Sequence, residues 1–215
     1  MDAPHSLIAA HKLRLDLALQ LLQQAGAMLP DAEPYSEPWL QGILDALCDL
    51  SSKDALTGLV NRRSFEMALA REVDRVARSG EPALLLMLDI DHFKAVNDGF
   101  GHDAGDEVLR EFAVRLATNV RAIDLPCRLG GEEFVVVMPG ASLEDATRVA
   151  DRIRRDIEAQ PFPIMGVAEG LTITVSIGVA ASVAGDTPEA LLKRADEGVY
   201  EAKTSGRDRV IARAA

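Results

Sequence analysis

The stretch that most constrains this chain is six consecutive apolar residues, ALLLML at Ala83–Leu88, running directly into Asp89. Six residues are short for a helix, and none is polar enough to face water. They therefore predict a central strand covered on both faces. A charge at the end of such a strand is no random surface residue. Strand alternation puts Asp89 and Asp91 on one side and Ile90 on the other.

The elements needed to cover that strand can be read around it. Asn61–Ser79 predicts an amphipathic helix with Phe65, Leu69, Val73 and Val76 on one face. Further helices are predicted over His92–Asn97, Ala104–Val120, Leu143–Ala159 and Ala190–Lys203. Cys127–Leu129 and Phe134–Met138 predict a hairpin turning at Gly130-Gly131. Phe162–Val167 and Leu171–Ala180 predict a second strand pair turning through Ala168-Glu169-Gly170, and Arg209–Ala212 a short final strand. Hairpins interrupting βα units give the α/β (α+β) class, antiparallel-rich rather than doubly wound.

Residues 1–50 differ in kind from 51–215, which sets the expected domain boundary. Ser6–Met28 is leucine-rich and predicts a helix whose apolar positions cover more than one face; Ile8, Leu15 and Leu22 fall seven apart, a run too short to define a coiled coil. Pro30–Pro38 forms a linker, after which Trp39, Ile43, Leu47 and Leu50 recur at helical spacing. A lone helical hairpin cannot bury that much apolar surface, so a homodimer through residues 1–50, built as a four-helix bundle, is expected.

Charge narrows the function. Acids outnumber bases 34 to 23, for a net −11, the wrong sign for a nucleic-acid polymer as partner. No run approaches the roughly 18 apolar residues of a membrane span. The first residues carry charges and no small-residue cleavage site, so no signal peptide is expected. Cys48 and Cys127, without a CxxC spacing, are expected to be reduced core thiols in a cytoplasmic protein.

Glu132 and Glu133 follow Gly130-Gly131 with only Arg128 as a basic neighbour. Adjacent acids on a turn repel unless a cation sits there, and hard oxygen donors suit Mg²⁺. The plainer alternative is a solvated acidic turn, with Asp89 capping the next helix. Asn97 and Asp106 together match the donors and acceptors of guanine, while Asp103 suits the cap of the helix from Ala104. Lys203 and Arg207 can approach a triphosphate, or simply form a basic turn.

Four segments, DALTGLVNRRSF, LDIDHFKAVNDGFGHDAGDEVL, RLGGEEF and ADEGVYEAKTSGRDRV, resemble in order the signature segments of the GGDEF family of diguanylate cyclases, from about Asp54 to Val210. The resemblance implies a nucleotidyl-cyclase palm-like fold, a central mainly antiparallel sheet flanked by helices. It implies condensation of two GTP into 3′,5′-cyclic di-GMP with release of two pyrophosphates, one GTP per domain, in a dimer. Asp89 and Glu132, with the Ile90 carbonyl, would hold Mg²⁺, or Mn²⁺ in its place. Glu133 would bind metal or activate the 3′-hydroxyl. Gly130 and Gly131 would admit the nucleotide, and Asn97 and Asp106 would bind its base. Lys94, Lys203, Arg207 and the backbone of His92 and Phe93 would hold phosphates. Five residues separate Asp124 from Gly130, so Arg121-Ala-Ile-Asp124 resembles the family's RxxD site for inhibitory product, completed by Arg152 or Arg155. A catalytically silent receptor for cyclic di-GMP or GTP is the alternative.

Overall fold

The computed structural model describes residues 13–214, in two compact units that divide between Lys53 and Asp54. The first holds α1 (Asp16–Gln24) and α2 (Glu37–Ser52). The Ser36 side chain accepts the Trp39 N–H, Pro38 occupies the first turn, and Leu22, Trp39 and Ile43 form a small core. The helix expected over Ser6–Met28 is confined to α1 among the described residues; its part from Ser6 to Lys12, with Ile8, lies outside them. Leu17 and Leu21 on α1 and Leu44 on α2 stay exposed. So does Cys48, which corrects its expected place in a core: on α2 it lies off the stripe that Trp39 and Ile43 bury.

The second unit begins with β1 (Val60–Asn61), α3 (Arg62–Ser79), β2 (Ala83–Ile90), α4 (Phe93–Phe100) and α5 (His102–Thr118). There follow β3 (Leu125–Gly130), β4 (Glu133–Pro139), α6 (Leu143–Ala159), β5 (Phe162–Ile164) and β6 (Val167–Leu171). It ends with β7 (Val175–Ala181), α7 (Pro188–Thr204) and β8 (Val210–Arg213). Six strands make one sheet in the order β1-β3-β4-β2-β7-β8, parallel only in the two outer pairs. β2 lies near its middle, antiparallel to β4 and β7 and buried at every residue, as its sequence demands. Leu84, Leu86, Leu88 and Ile90 join a core that includes residues of α4, α5 and α6, while Leu85 and Met87 join one with residues of α3 and α7. Gly178 and Gly198 let α7 lie directly on β7, since a Cβ on Gly178 would strike the α7 backbone.

Two local expectations are corrected. The second hairpin turns at Met165-Gly166, not at 168–170: Ile164 pairs with Val167 across Gly166, whose left-handed backbone (φ +84°) suits the turn. Its strands are β5 and β6. The long apolar run that follows is β7, drawn to β2 because it can be buried on both faces. Asp103 is not a cap: α5 starts one residue before it, after Gly101. Asp103 sits in the first turn, where its charge complements the helix dipole.

Candidate active site

Alternation along β2 puts Asp89 on the same face as Leu85 and Met87, toward α7. There its Oδ2 lies 2.7 Å from Lys203 Nζ. Across the sheet Asp89 is in register with Glu133 on β4 and Ser176 on β7. Burial pushes the Asp89 carboxyl above its ordinary pKa; Lys203 opposes that shift, and the nearby Glu132 and Glu133 reinforce it.

The glycine turn is built to be held from behind. Gly130 (φ +146°) and Gly131 (φ +52°) adopt backbone conformations that side chains disfavour. Arg128 reaches under the turn and donates from Nε and Nη2 to the Gly131 carbonyl, at 3.1 and 2.9 Å. Its Nη1 donates to Asp54 Oδ1 at 3.0 Å. Burial would raise the Asp54 pKa, but hydrogen bonds from Thr57 and Arg128 bring it below the usual carboxylate range. The Ile90 N–H donates to the Glu132 carbonyl at 3.3 Å, tying the turn to the end of β2.

Asn97 on α4 and Asp106 on α5 lie on packed neighbouring helices, and Gly105 leaves the room that the Asn97 side chain occupies. Asp106 also lies 3.9 Å from Arg110, one turn along its helix. His92 takes a left-handed backbone (φ +57°) at the start of α4, with Phe93 buried behind it and Lys94 exposed. Arg207 lies beyond α7, its N–H donating to the Ala202 carbonyl at 2.8 Å.

At the other end of β3, Arg121 closes on Asp124. Its Nη2 lies 2.7 Å from Oδ1, and its backbone N–H donates to Oδ2 at 2.8 Å. Asp124 is buried and Arg121 exposed. Arg152 on α6 donates to the Asn119 carbonyl at 2.6 Å, two residues before Arg121, whereas Arg155 pairs with Asp151 on its own helix.

Sequence reasoning missed two supports. Asp91 is buried and accepts from Thr174 Oγ1 (2.8 Å), Ser176 Oγ (2.7 Å) and the Asp208 N–H (3.1 Å). It fixes the exit of β2 against β7 and the loop before β8. The brace from Asp54 through Arg128 to Gly131 is the other. Its signal was the DALTGL segment, since an aspartate three residues before a threonine commonly folds into a local turn.

Among the described residues no three His, Cys, Asp or Glu side chains are grouped to hold an ion on their own. The donor set suits an ion shared with phosphates instead. A buried carboxylate has two glutamates close enough to raise its pKa, and Mg²⁺ is ordinarily held by one or two carboxylates and the substrate's own oxygens.

A mainly antiparallel sheet whose central strand delivers a carboxylate beside an acidic glycine turn, with a lysine at hydrogen-bond distance and helices on both faces, is an α/β architecture of the kind GGDEF domains share. The family model "Diguanylate cyclase, GGDEF domain" matches residues 51–209, and the chain belongs to that family. It is 57% identical over 178 residues to the response regulator PleD of Caulobacter vibrioides, covering 82% of this chain and 39% of PleD. It is 40% identical over 211 residues to the diguanylate cyclase DgcP of Pseudomonas aeruginosa, covering 98% of this chain and 30% of DgcP. The chain thus spans well under half the length of these relatives. Among solved structures it resembles the coiled coil and GGDEF domain of DgcB from Caulobacter crescentus in complex with c-di-GMP (TM-score 0.77, 31% identity, 81% of this chain and 92% of that one). It also resembles the diguanylate cyclase SiaD of Pseudomonas aeruginosa in complex with its activator SiaC (TM-score 0.74, 37% identity, 91% of this chain and 73% of that one). No helix among the described residues is long and apolar enough to cross a membrane.

Proposed function

We propose that this chain condenses two GTP into 3′,5′-cyclic di-GMP, with Mg²⁺ or Mn²⁺, as a cytoplasmic homodimer inhibited by its own product. The observation that carries the proposal is the junction of β2 with the glycine turn: Asp89 in register with Glu133, beside Lys203. In each of two steps a 3′-oxygen bonds to the α-phosphorus of the other GTP. The bond from that phosphorus to the bridging oxygen breaks, pyrophosphate leaves, and the hydroxyl proton passes to a base.

Asp89, Glu132 and the Ile90 carbonyl would hold the metal. When bound, it would act as a Lewis acid on the triphosphate and lower the pKa of the attacking hydroxyl. Glu133, in register with Asp89, would ligate metal or receive that proton. Asn97 and Asp106 would orient guanine. Lys94, Lys203, Arg207 and the backbone at His92 and Phe93 would hold phosphates, with Lys203 exchanging its contact with Asp89 for one with the nucleotide. Positioning and charge stabilisation supply most of the catalysis in phosphoryl transfer.

One domain offers one GTP, so two must face each other. We assign residues 1–50 the dimerising role and residues 51–215 the catalysis. In support, Leu17, Leu21 and Leu44 are exposed on α1 and α2, and a second hairpin would cover them. Arg121 and Asp124 would bind product, with Arg152 rather than Arg155 as third member because Arg152 already reaches the segment leading to Arg121.

The test is a product assay on chain freed of bound nucleotide by a cyclic di-GMP phosphodiesterase, given GTP with Mg²⁺ or with excess chelator. Cyclic di-GMP is expected only with metal. A demonstrably dimeric chain that binds cyclic di-GMP and makes none would overturn catalysis in favour of the silent receptor.

A further inference from the structure

Between α7 and β8 the backbone does something costly. Arg207 (φ +62°) and Asp208 (φ +44°) follow Gly206 as consecutive non-glycine residues in the left-handed region. Side chains hold such conformations only where their surroundings over-determine them. Here the restraints converge on Asp208 from two directions. Its N–H donates to Oδ2 of buried Asp91 at 3.1 Å, and its Oδ1 accepts from Arg154 Nη1 at 2.9 Å. Arg154 projects from α6 with its side chain 16% exposed. It is itself fixed by Asp151 at 3.2 Å and Glu158 at 2.9 Å. Burial works against its charge, yet the hydrogen bonds to Asp208, Glu158 and Asp151 raise its pKa above the usual arginine value. A guanidinium divided among three carboxylates is a rigid strut, and lysine, a point charge on a flexible stem, could not copy it.

We propose that Arg154 is a positioning residue: acting through Asp208, it clamps the turn that carries Arg207 and so sets how tightly the site grips the nucleotide's phosphates. This rests on the assignment of Arg207 as a phosphate ligand. Neither Arg154 nor Asp208 needs to touch the nucleotide. The turn is held on one side by Asp91, at the end of the strand that bears Asp89, and on the other by α6. Releasing α6 leaves two disfavoured backbone conformations with one restraint fewer, and Arg207 is the side chain that then wanders.

The experiment uses the full chain, the non-hydrolysable probe α,β-methylene-GTP with Mg²⁺, and four proteins: wild type, Arg154→Gln, Arg207→Ala and the double variant. Loss of a charge-assisted bond predicts about tenfold weaker probe binding for Arg154→Gln. Hydrogen exchange at the Asp208 amide should quicken, and KM for GTP should rise more than kcat falls. Because Arg154 acts through Arg207, the double variant should bind no more weakly than Arg207→Ala alone, within about twofold. Unchanged affinity in Arg154→Gln, unchanged exchange at Asp208, or losses that multiply in the double variant would each overturn the proposal. If Arg207→Ala binds the probe as wild type does, the phosphate assignment itself fails and the positioning role falls with it. Should Arg154→Gln not fold, Asp208→Asn and Asp208→Ala replace it. Asparagine keeps an acceptor and tolerates the left-handed backbone, and alanine does neither, so asparagine must retain clearly more affinity. Equal losses would count against the clamp.

Discussion

The two ends of β3 carry charged turns of opposite construction. At its start, Arg121 and Asp124 satisfy each other: the buried carboxylate takes both the backbone N–H and the guanidinium of the same arginine. Past its end, Glu132 and Glu133 have no hydrogen-bonded or ion-paired side-chain partner among the described residues, and they add to the charge crowding on Asp89. The arginine available there, Arg128, is spent on the Gly131 carbonyl and Asp54, shaping the backbone rather than neutralising the acids. A turn that closes on itself stands without a ligand. A turn braced from behind, with its acids left facing outward, stores charge that a cation and phosphates can complete.

That contrast can be broken by mutation, the largest effect falling on the open turn. Glu133→Gln should reduce cyclic di-GMP synthesis by about a thousandfold or more while leaving the melting temperature near wild type. Chromatography of products beside thermal denaturation checks both halves. A variant that unfolds would show that Glu133 serves the fold instead.

Next in size is the brace. Arg128→Met strips two donors from the Gly131 carbonyl and one from Asp54, and should cost about 1–3 kcal/mol of stability by urea titration. Synthesis should fall as the turn loosens. The stability loss carries a pH signature. The Asp54 pKa lies below the ordinary aspartate value, so its contribution is present above that value and is lost as pH falls through the folded-state pKa. The gap between variant and wild type should therefore narrow in acid. A gap that is constant with pH would remove Asp54 from the account.

The closed turn should respond differently. Arg121→Ala leaves buried Asp124 with only the backbone N–H of residue 121 and no guanidinium, so it should melt lower than wild type while its progress curve runs on past the point where wild type stops. An unchanged stopping point would withdraw the product site from this turn.

The smallest effect on stability is a gain. Asp89 has a pKa above its ordinary value, so its stabilising contribution is complete below about 3.8 and is lost as pH rises through the folded-state value. Asp89→Asn should consequently melt about 2–4 °C higher than wild type at pH 7, show little difference near pH 3, and make no product. A lower melting temperature at pH 7 would mean that the Lys203 contact outweighs the burial cost.

How much of this was legible beforehand differs by residue. The six apolar residues before Asp89 pointed to a doubly covered strand, because the run is short for a helix and none of it can face water. The periodicity of Phe65, Leu69, Val73 and Val76 announced α3, a local property of the chain, whereas Asn61, read as its first residue, is in the structure its cap. The paired acids of the glycine turn and the spacing of Arg121 from Asp124 were visible as linear patterns. Partnerships across space were not. Lys203 lies over a hundred residues beyond Asp89, and only the packing of α7 on β7 through Gly178 and Gly198 brings them within 2.7 Å. Asp54 meets Arg128 across the fold, and Arg154 on α6 meets Asp208 in the loop before β8. The turn at Met165-Gly166 was misplaced because Gly166 and Gly170 both have left-handed backbones, and only pairing with β2 decides which strand leaves the hairpin. Local hydrogen bonding and hydrophobic period are encoded residue by residue, so sequence determined the elements and the acids they present. Which charges are neutralised, and by whom, depends on distances that exist only once the sheet has closed; that was decided by the tertiary structure alone.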